Sequence, residues 1–229
     1  YTSSGGVCVI MMPASLLGDP MYLVILRTVL LPAALALLVA ACDMEAEQLP
    51  NCEYISGNLL ADPEFSTLDS SWQEQSWRYS QHSKDISFSY GAEEGILNFM
   101  KVGREPWALL VQDIKAEAVE GKRVEFSADL KLDLSEPEDA HALGYGGGLT
   151  LLAKQSYEDG YNIVLSSKLK HEPHMGSHDW QRVSVVEDFP KHISYMYAGF
   201  LHQAGGGMQV RNPALRIVTA GCPLTVLSD

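Results

Sequence analysis

The sequence predicts an all-β fold, an antiparallel β-sandwich, and three observations carry that prediction. From Asn58 onward apolar and polar residues alternate with period two, the pattern of strands that bury one face. The alternating stretches are short and are separated by turns containing Gly and Pro. No segment presents a helical apolar stripe.

The clearest strand is Arg123–Asp133. There Val124, Phe126, Ala128, Leu130 and Leu132 point one way, while Glu125, Ser127, Asp129, Lys131 and Asp133 point the other. A helix would scatter those apolar residues around its axis. Further strands are predicted at Asp85–Tyr90, Ile96–Val102, Ala108–Ile114, Gly148–Lys154, Tyr161–Ser166, Gln181–Val186, Tyr195–Leu201, Met208–Arg211 and Ala214–Val218. Asp159-Gly160 between two of them is a hairpin turn signal, because both residues tolerate positive φ. Many short antiparallel strands close into a sandwich.

The N-terminal part has a different character. From Met21, read as the start, a single Arg27 precedes an apolar run, Val29–Ala41. The run from Val29 is short for a bilayer span, which needs about 20 apolar residues. Counted from Met21 it lengthens, so a transmembrane anchor is the competing reading. Val39-Ala40-Ala41-Cys42 decides between them, since it resembles the bacterial lipobox: a hydrophobic residue, two small ones and the Cys that accepts the lipid. Residues 1–41 are then a removed extension and signal peptide, and residues 42–56 a lipidated Cys42 with its tether. Residues 57–222 form the sandwich, and 223–229 a C-terminal tail. The expected address is the bacterial cell envelope, exported and lipid-anchored on its periplasmic or extracellular face.

The chain carries a formal net charge of −13, and removing residues 1–41 leaves it unchanged because Arg27 and Asp19 cancel. Such a surface repels nucleic acid, whose binding needs basic phosphate contacts. Beyond Cys42, the cysteines of the folded part are Cys52 and Cys222, one at each edge. In an oxidising compartment this pair predicts a disulfide, with two free thiols as the alternative. The bond requires both ends of the domain to lie together.

A family resemblance refines the fold. Asn58-Leu59-Leu60-Ala61-Asp62-Pro63-Glu64-Phe65 followed by Trp72 resembles the opening of carbohydrate-binding modules of the CenC type. The stretch from Trp107 to Ile114 is similar to their central strand. Gly121–Ala128, Asp179–Val183 and Gly205–Asn212 resemble three later segments, in the same order. The resemblance implies a jelly roll of the galactose-binding-domain-like superfold, with close termini. Relatives use a Gln on the central strand for their ligand, which makes Gln112 a candidate. Relatives also bind a structural calcium through acidic residues where Ser66 and Asn212 stand here. The resemblance therefore carries no metal ligand over, and no cofactor is assigned, with a structural calcium the alternative.

Four aromatics join Gln112 as ligand-binding candidates, since sugar rings stack on aromatic faces while polar groups bond their hydroxyls. Trp77 and Tyr79 alternate and so share one side of a strand; Tyr145 sits in a Gly loop; Tyr161 borders the Asp159-Gly160 turn. For each aromatic, core packing is the competing role.

Other motifs are weaker. His171-Glu172-Pro173-His174-Met175-Gly176-Ser177-His178-Asp179 offers zinc-type ligands, but Pro173 and Gly176 oppose a helix, and a polar loop is the simpler reading. Gly146–Gly148 lacks the ending of a phosphate loop. The acidic residues Asp133, Glu136, Glu138 and Asp139 read as a solvated loop. The sequence thus predicts a non-catalytic, lipid-anchored module that binds a polysaccharide or envelope glycan. The alternative is a structural lipoprotein that docks a protein partner and binds no sugar.

Overall fold

The computed structural model describes residues 51–136, 145–158 and 160–226. The predicted all-β sandwich is present. Ten strands run in chain order: β1 (Arg78–Gln81), β2 (Phe88–Glu93), β3 (Ile96–Lys101), β4 (Ala108–Ile114), β5 (Arg123–Ser135), β6 (Gly147–Tyr157), β7 (Gly160–Lys168), β8 (Gly176–Asp188), β9 (Tyr195–His202) and β10 (Gly205–Val218). One helical turn, α1 (Ala116–Val119), joins β4 to β5. Two antiparallel five-stranded sheets result, ordered β1-β4-β9-β6-β7 and β2-β3-β10-β5-β8, as in a jelly roll. The first is called the front sheet below and the second the back sheet.

The strands mostly run longer than the alternation predicts, and β4 has the predicted limits. The two stretches Met208–Arg211 and Ala214–Val218 are one strand, β10, interrupted by a shift in register between Arg211 and Ala214. Pro213 explains the interruption, because it has no N–H to give the ladder. Asn212 beside it takes φ of 52°. The bulge is held by Asn58, whose Nδ2 donates to the Pro213 carbonyl while its Oδ1 accepts from the backbone N–H groups of Leu60 and Leu215.

β6 and β7 form the predicted hairpin, paired down to Tyr157 and Gly160; Asp159 itself lies outside the described residues. Between the sheets the side chains of Phe65, Trp77, Phe126 and Phe200 meet at ring-centroid distances of 5.0 to 6.1 Å. All four are buried.

Cys52 and Cys222 are bonded, with Cα atoms 4.3 Å apart across a sequence separation of 170. The segment around Cys52 is docked, not a free tether. Thr219 N–H donates to the Glu53 carbonyl, Ile55 N–H to Ile217 and Leu59 N–H to Leu215, so residues 53–59 follow the end of β10. The C-terminal tail docks too, through Thr225 N–H to the Val186 carbonyl. Cys42 and the segment before it lie outside the described residues.

Candidate functional site on the front sheet

Register decides which side chains share a face, since residues paired across strands point the same way and the next pair points the other. On the front sheet Leu110, Phe200 and Leu149 fall in one such row and face the core. The rows between them therefore face outward. One reads Arg78, Val111, Gly199, Thr150, Lys168 from β1 to β7. The next reads Asp113, Tyr197, Leu152, Ser166, and the one beyond it Tyr195, Lys154, Ile163. Tyr161, opposite Ser156, closes the same face at the hairpin end.

This outer face has an apolar centre and a polar rim. Val111, Leu152 and Tyr197 are buried in a cluster of their own, separate from the main core, with Leu109 and Tyr195 packed against them. Gly199 leaves no room for a side chain there: a Cβ would come within 2.9 Å of Val111 Cγ1. Toward β1, Tyr195 donates a 2.6 Å hydrogen bond to Asp113 Oδ1, and Arg78 Nη2 donates to the same oxygen at 2.8 Å and to the Tyr195 hydroxyl. Burial, then the bond to Asp113, holds the Tyr195 phenol well above its ordinary ionisation range. Burial raises Tyr197 as well. Toward β7, the Lys154 ammonium lies 3.9 Å from the ring centroid of Tyr161 and 5.7 Å from that of Tyr195. Tyr195 and Tyr197 meet edge to face at 6.1 Å. In the floor, the buried Thr150 hydroxyl has no hydrogen-bond partner among the described residues.

The five candidates read from the sequence do not converge. Trp77 belongs to the core: it is 1 % exposed, its ring lies against Phe65 and Phe200, and its Nε1–H donates to the Asp62 carbonyl at 2.8 Å. No face is left for a sugar. Tyr79 points the same way, as the alternation requires, and is half-buried against Tyr90 at 4.6 Å with its hydroxyl on Gln81. Burial pushes its pKa up to about 12. Gln112 is 1 % exposed; its Oε1 accepts from Ala61 N–H and its Nε2 donates to the Asp62 carbonyl. It fastens the opening loop to β4 from inside the sandwich. Tyr145 is exposed just before β6, and Tyr161 lies on the outer face near the far end of that strand. At about 3.3 Å per residue they sit roughly 30 Å apart. Of the five, Tyr161 alone belongs to the outer-face constellation described above.

Tyr195 and Tyr197 were hidden in the sequence by their own strand. In Tyr195-Met196-Tyr197-Ala198-Gly199-Phe200-Leu201 both sets of alternate residues are apolar or aromatic, so nothing marks the outward set. The usable signal is the spacing of the two tyrosines two apart.

The remaining motifs take structural places. Asp62 accepts four hydrogen bonds, two each from Ser66 and Thr67 through backbone and hydroxyl. Burial opposes its ionisation, but those bonds outweigh it and lower its pKa. The Ser66 hydroxyl is thus engaged, and Asn212 Nδ2 donates to Asp129. His171 is buried with Nε2 accepting from Leu149 N–H; burial first, and His174 nearby, depress its pKa to about 4. With His174 and Glu172 it lines a groove of about 370 Å³ beside β8. Among the described residues no group of three or more His, Cys, Asp or Glu side chains is placed to hold a metal ion. Trp180 lies on the outer face of the back sheet under the Arg211 guanidinium, 4.2 Å away.

No protein-family model and no curated protein sequence matches this chain. Solved structures do. The enzymatically active domain of bacteriophage CBA120 tailspike protein 4 aligns over 70 % of this chain with a TM-score of 0.45 and 13 % identity, and this chain spans only 21 % of that one. The C-terminal family 22 carbohydrate-binding module of Clostridium thermocellum Xyn10B aligns over 76 % of this chain and 96 % of its own, with a TM-score of 0.41 and 10 % identity. TmCBM61, solved in complex with β-1,4-galactotriose, aligns over 70 % of this chain and 98 % of its own, with a TM-score of 0.39 and 14 % identity.

Proposed function

We propose that the protein is a non-catalytic glycan-binding module whose site is the outer face of the front sheet, carried at the cell envelope by a lipid on Cys42. The observation that supports the glycan reading is the placement of Tyr161 and Tyr195 on one sheet face, over the buried floor of Val111, Leu152 and Tyr197 and beside the Arg78–Asp113–Tyr195 network. A sugar ring has an apolar face and a hydroxylated edge. Tyrosine rings take the first, and charged, planar side chains take the second.

A binding role suits the charges of this face better than hydrolysis does. On its paired rows, among the described residues, Asp113 is the one carboxylate, and it is already engaged by Arg78 and Tyr195. A glycosidase acting by two carboxylates needs a second. The lipid anchor is supported by the Val39-Ala40-Ala41-Cys42 sequence alone.

The test is a binding screen of the full-length protein in detergent against soluble and insoluble polysaccharides, peptidoglycan included, beside Tyr195→Ala. Saturable binding that the variant weakens by tenfold or more supports the reading. If the variant binds as the parent does, the site is elsewhere. Binding to no polymer favours the protein-docking alternative. Metabolic labelling with a fatty acid, lost in Cys42→Ser, tests the anchor.

A further inference from the structure

We propose that this face selects an anionic glycan, with Lys154 as the residue that meets its carboxylate; the proposal rests on the glycan reading above.

The first support is a local charge opposite to that of the molecule. Among the described residues the rows of the outer face hold the cations Arg78, Lys154 and Lys168 against one carboxylate, Asp113, while the chain as a whole carries −13. Arg78 is spent on Asp113. Lys168 stands on β7, the edge strand of its sheet, where a lysine commonly serves to discourage pairing with another chain. That explanation does not reach Lys154. It stands on β6, between β9 and β7, inside the sheet.

The second support is where the Lys154 ammonium lies. It is held over the Tyr161 ring at 3.9 Å and beside Tyr195 at 5.7 Å, and makes no ion pair among the described residues. In a chain this acidic, a half-buried cation whose partners are two aromatic faces has, among the described residues, no carboxylate of its own. Those rings are also the surfaces on which a sugar would stack. A neutral sugar settling on Tyr161 must push the ammonium aside and forfeit its attraction to the ring. A uronate draws the ammonium onto its carboxylate and frees the ring in the same movement, so one residue both penalises the neutral ligand and rewards the charged one.

The experiment titrates the full-length protein in detergent with polygalacturonate and alginate, and with methyl-esterified galacturonan and xylan as neutral counterparts. The proposal expects the anionic polymers to bind about tenfold tighter or more, with the difference shrinking as salt rises. Lys154→Met, which keeps the aliphatic stem, is expected to abolish the preference, and Lys154→Arg to retain it. Equal or tighter binding of the neutral polymers overturns the anionic selection and leaves the glycan reading standing. An undiminished preference in Lys154→Met overturns the role of that residue. Binding of none of the four overturns the anionic selection, while the wider screen with peptidoglycan decides the glycan reading separately.

Discussion

Tyr195 donates a 2.6 Å hydrogen bond to Asp113 Oδ1, reaching diagonally from β9 to β4 on the outer face of the front sheet. Arg78 on β1 approaches the same carboxylate oxygen at 2.8 Å, so three strands are tied by one network at the rim of an apolar floor. The network fixes the Tyr195 ring through its hydroxyl. A ring fixed in this way suits the proposed binding role, because a preorganised aromatic loses little freedom when a ligand arrives.

The same contact predicts an optical signature. Burial and the bond to Asp113 raise the ionisation of Tyr195 above the ordinary phenol value of 10.0. In an alkaline titration followed by phenolate absorbance, the difference between the parent and Tyr195→Phe should come from a phenol ionising later than an exposed tyrosine. A difference curve centred at the ordinary value would show that the bond is not formed in solution.

Gln112 and Trp77 are predicted to act on stability and not on ligand affinity. Gln112→Ala leaves the Ala61 N–H without its partner and takes one donor from the Asp62 carbonyl, which keeps Trp77 Nε1–H, at a cost of about 1–3 kcal/mol. Trp77→Ala removes a large buried ring and one hydrogen bond, at about 3–5 kcal/mol. Urea unfolding measures both. Glycan affinity measured on the Gln112→Ala protein while still folded should match the parent; a loss there would return Gln112 to the binding site.

Reducing the Cys52–Cys222 bond is expected to lower the melting temperature clearly. For a loop of this length the chain-entropy model gives about 5 kcal/mol as a ceiling. Cys52→Ser with Cys222→Ser should melt where the reduced protein does. Since the bond holds the docked segment of residues 53–59 beside β10, proteolysis of the variant should begin N-terminal to Asn58. Equal melting with and without reductant would mean that the bond adds nothing to that docking.

Two buried histidines set a prediction for acid. His171 and His202 are held neutral chiefly by burial, each with its pKa lowered from 6.5 to about 4. The unfolded chain takes up these protons as pH falls through 6.5, while the folded chain does not until near 4. Stability is therefore full above about pH 6.5 and is lost progressively between there and 4, by up to about 3 kcal/mol for each histidine. The lowered carboxyls of Asp62, Asp129 and Asp188 extend the loss below their ordinary value of 3.8. Unfolding free energies at successive pH values check the window; a flat profile between pH 6.5 and 4 would contradict the burial of both imidazoles.

The sequence carried the sheets further than the site. Period-two alternation is a local property, so Arg123–Asp133 or Ala108–Ile114 could be read directly, and two cysteines at the edges of the folded part named their bond. Alternation also says that Trp77 and Tyr79 share a side. It does not say whether that side meets the other sheet or the solvent, and both rings turned inward. β9 shows the converse: with Met196, Ala198 and Phe200 in the main core and Tyr195 and Tyr197 on the other face, a strand apolar on both sides conceals which aromatics leave the core. The rows joining Arg78 to Val111 or Tyr195 to Lys154 bring together residues remote in sequence. Only the pairing of non-adjacent strands creates them, and that is long-range information.

On the proposed function, the outer face of the front sheet, and no other surface, binds the glycan. The most direct measurement compares glycan affinity in Tyr195→Ala with that in Trp180→Ala, whose ring lies on the outer face of the back sheet beneath Arg211. A loss of tenfold or more is expected for the first and an unchanged affinity for the second. The reverse pattern would contradict it and place the site on the back sheet.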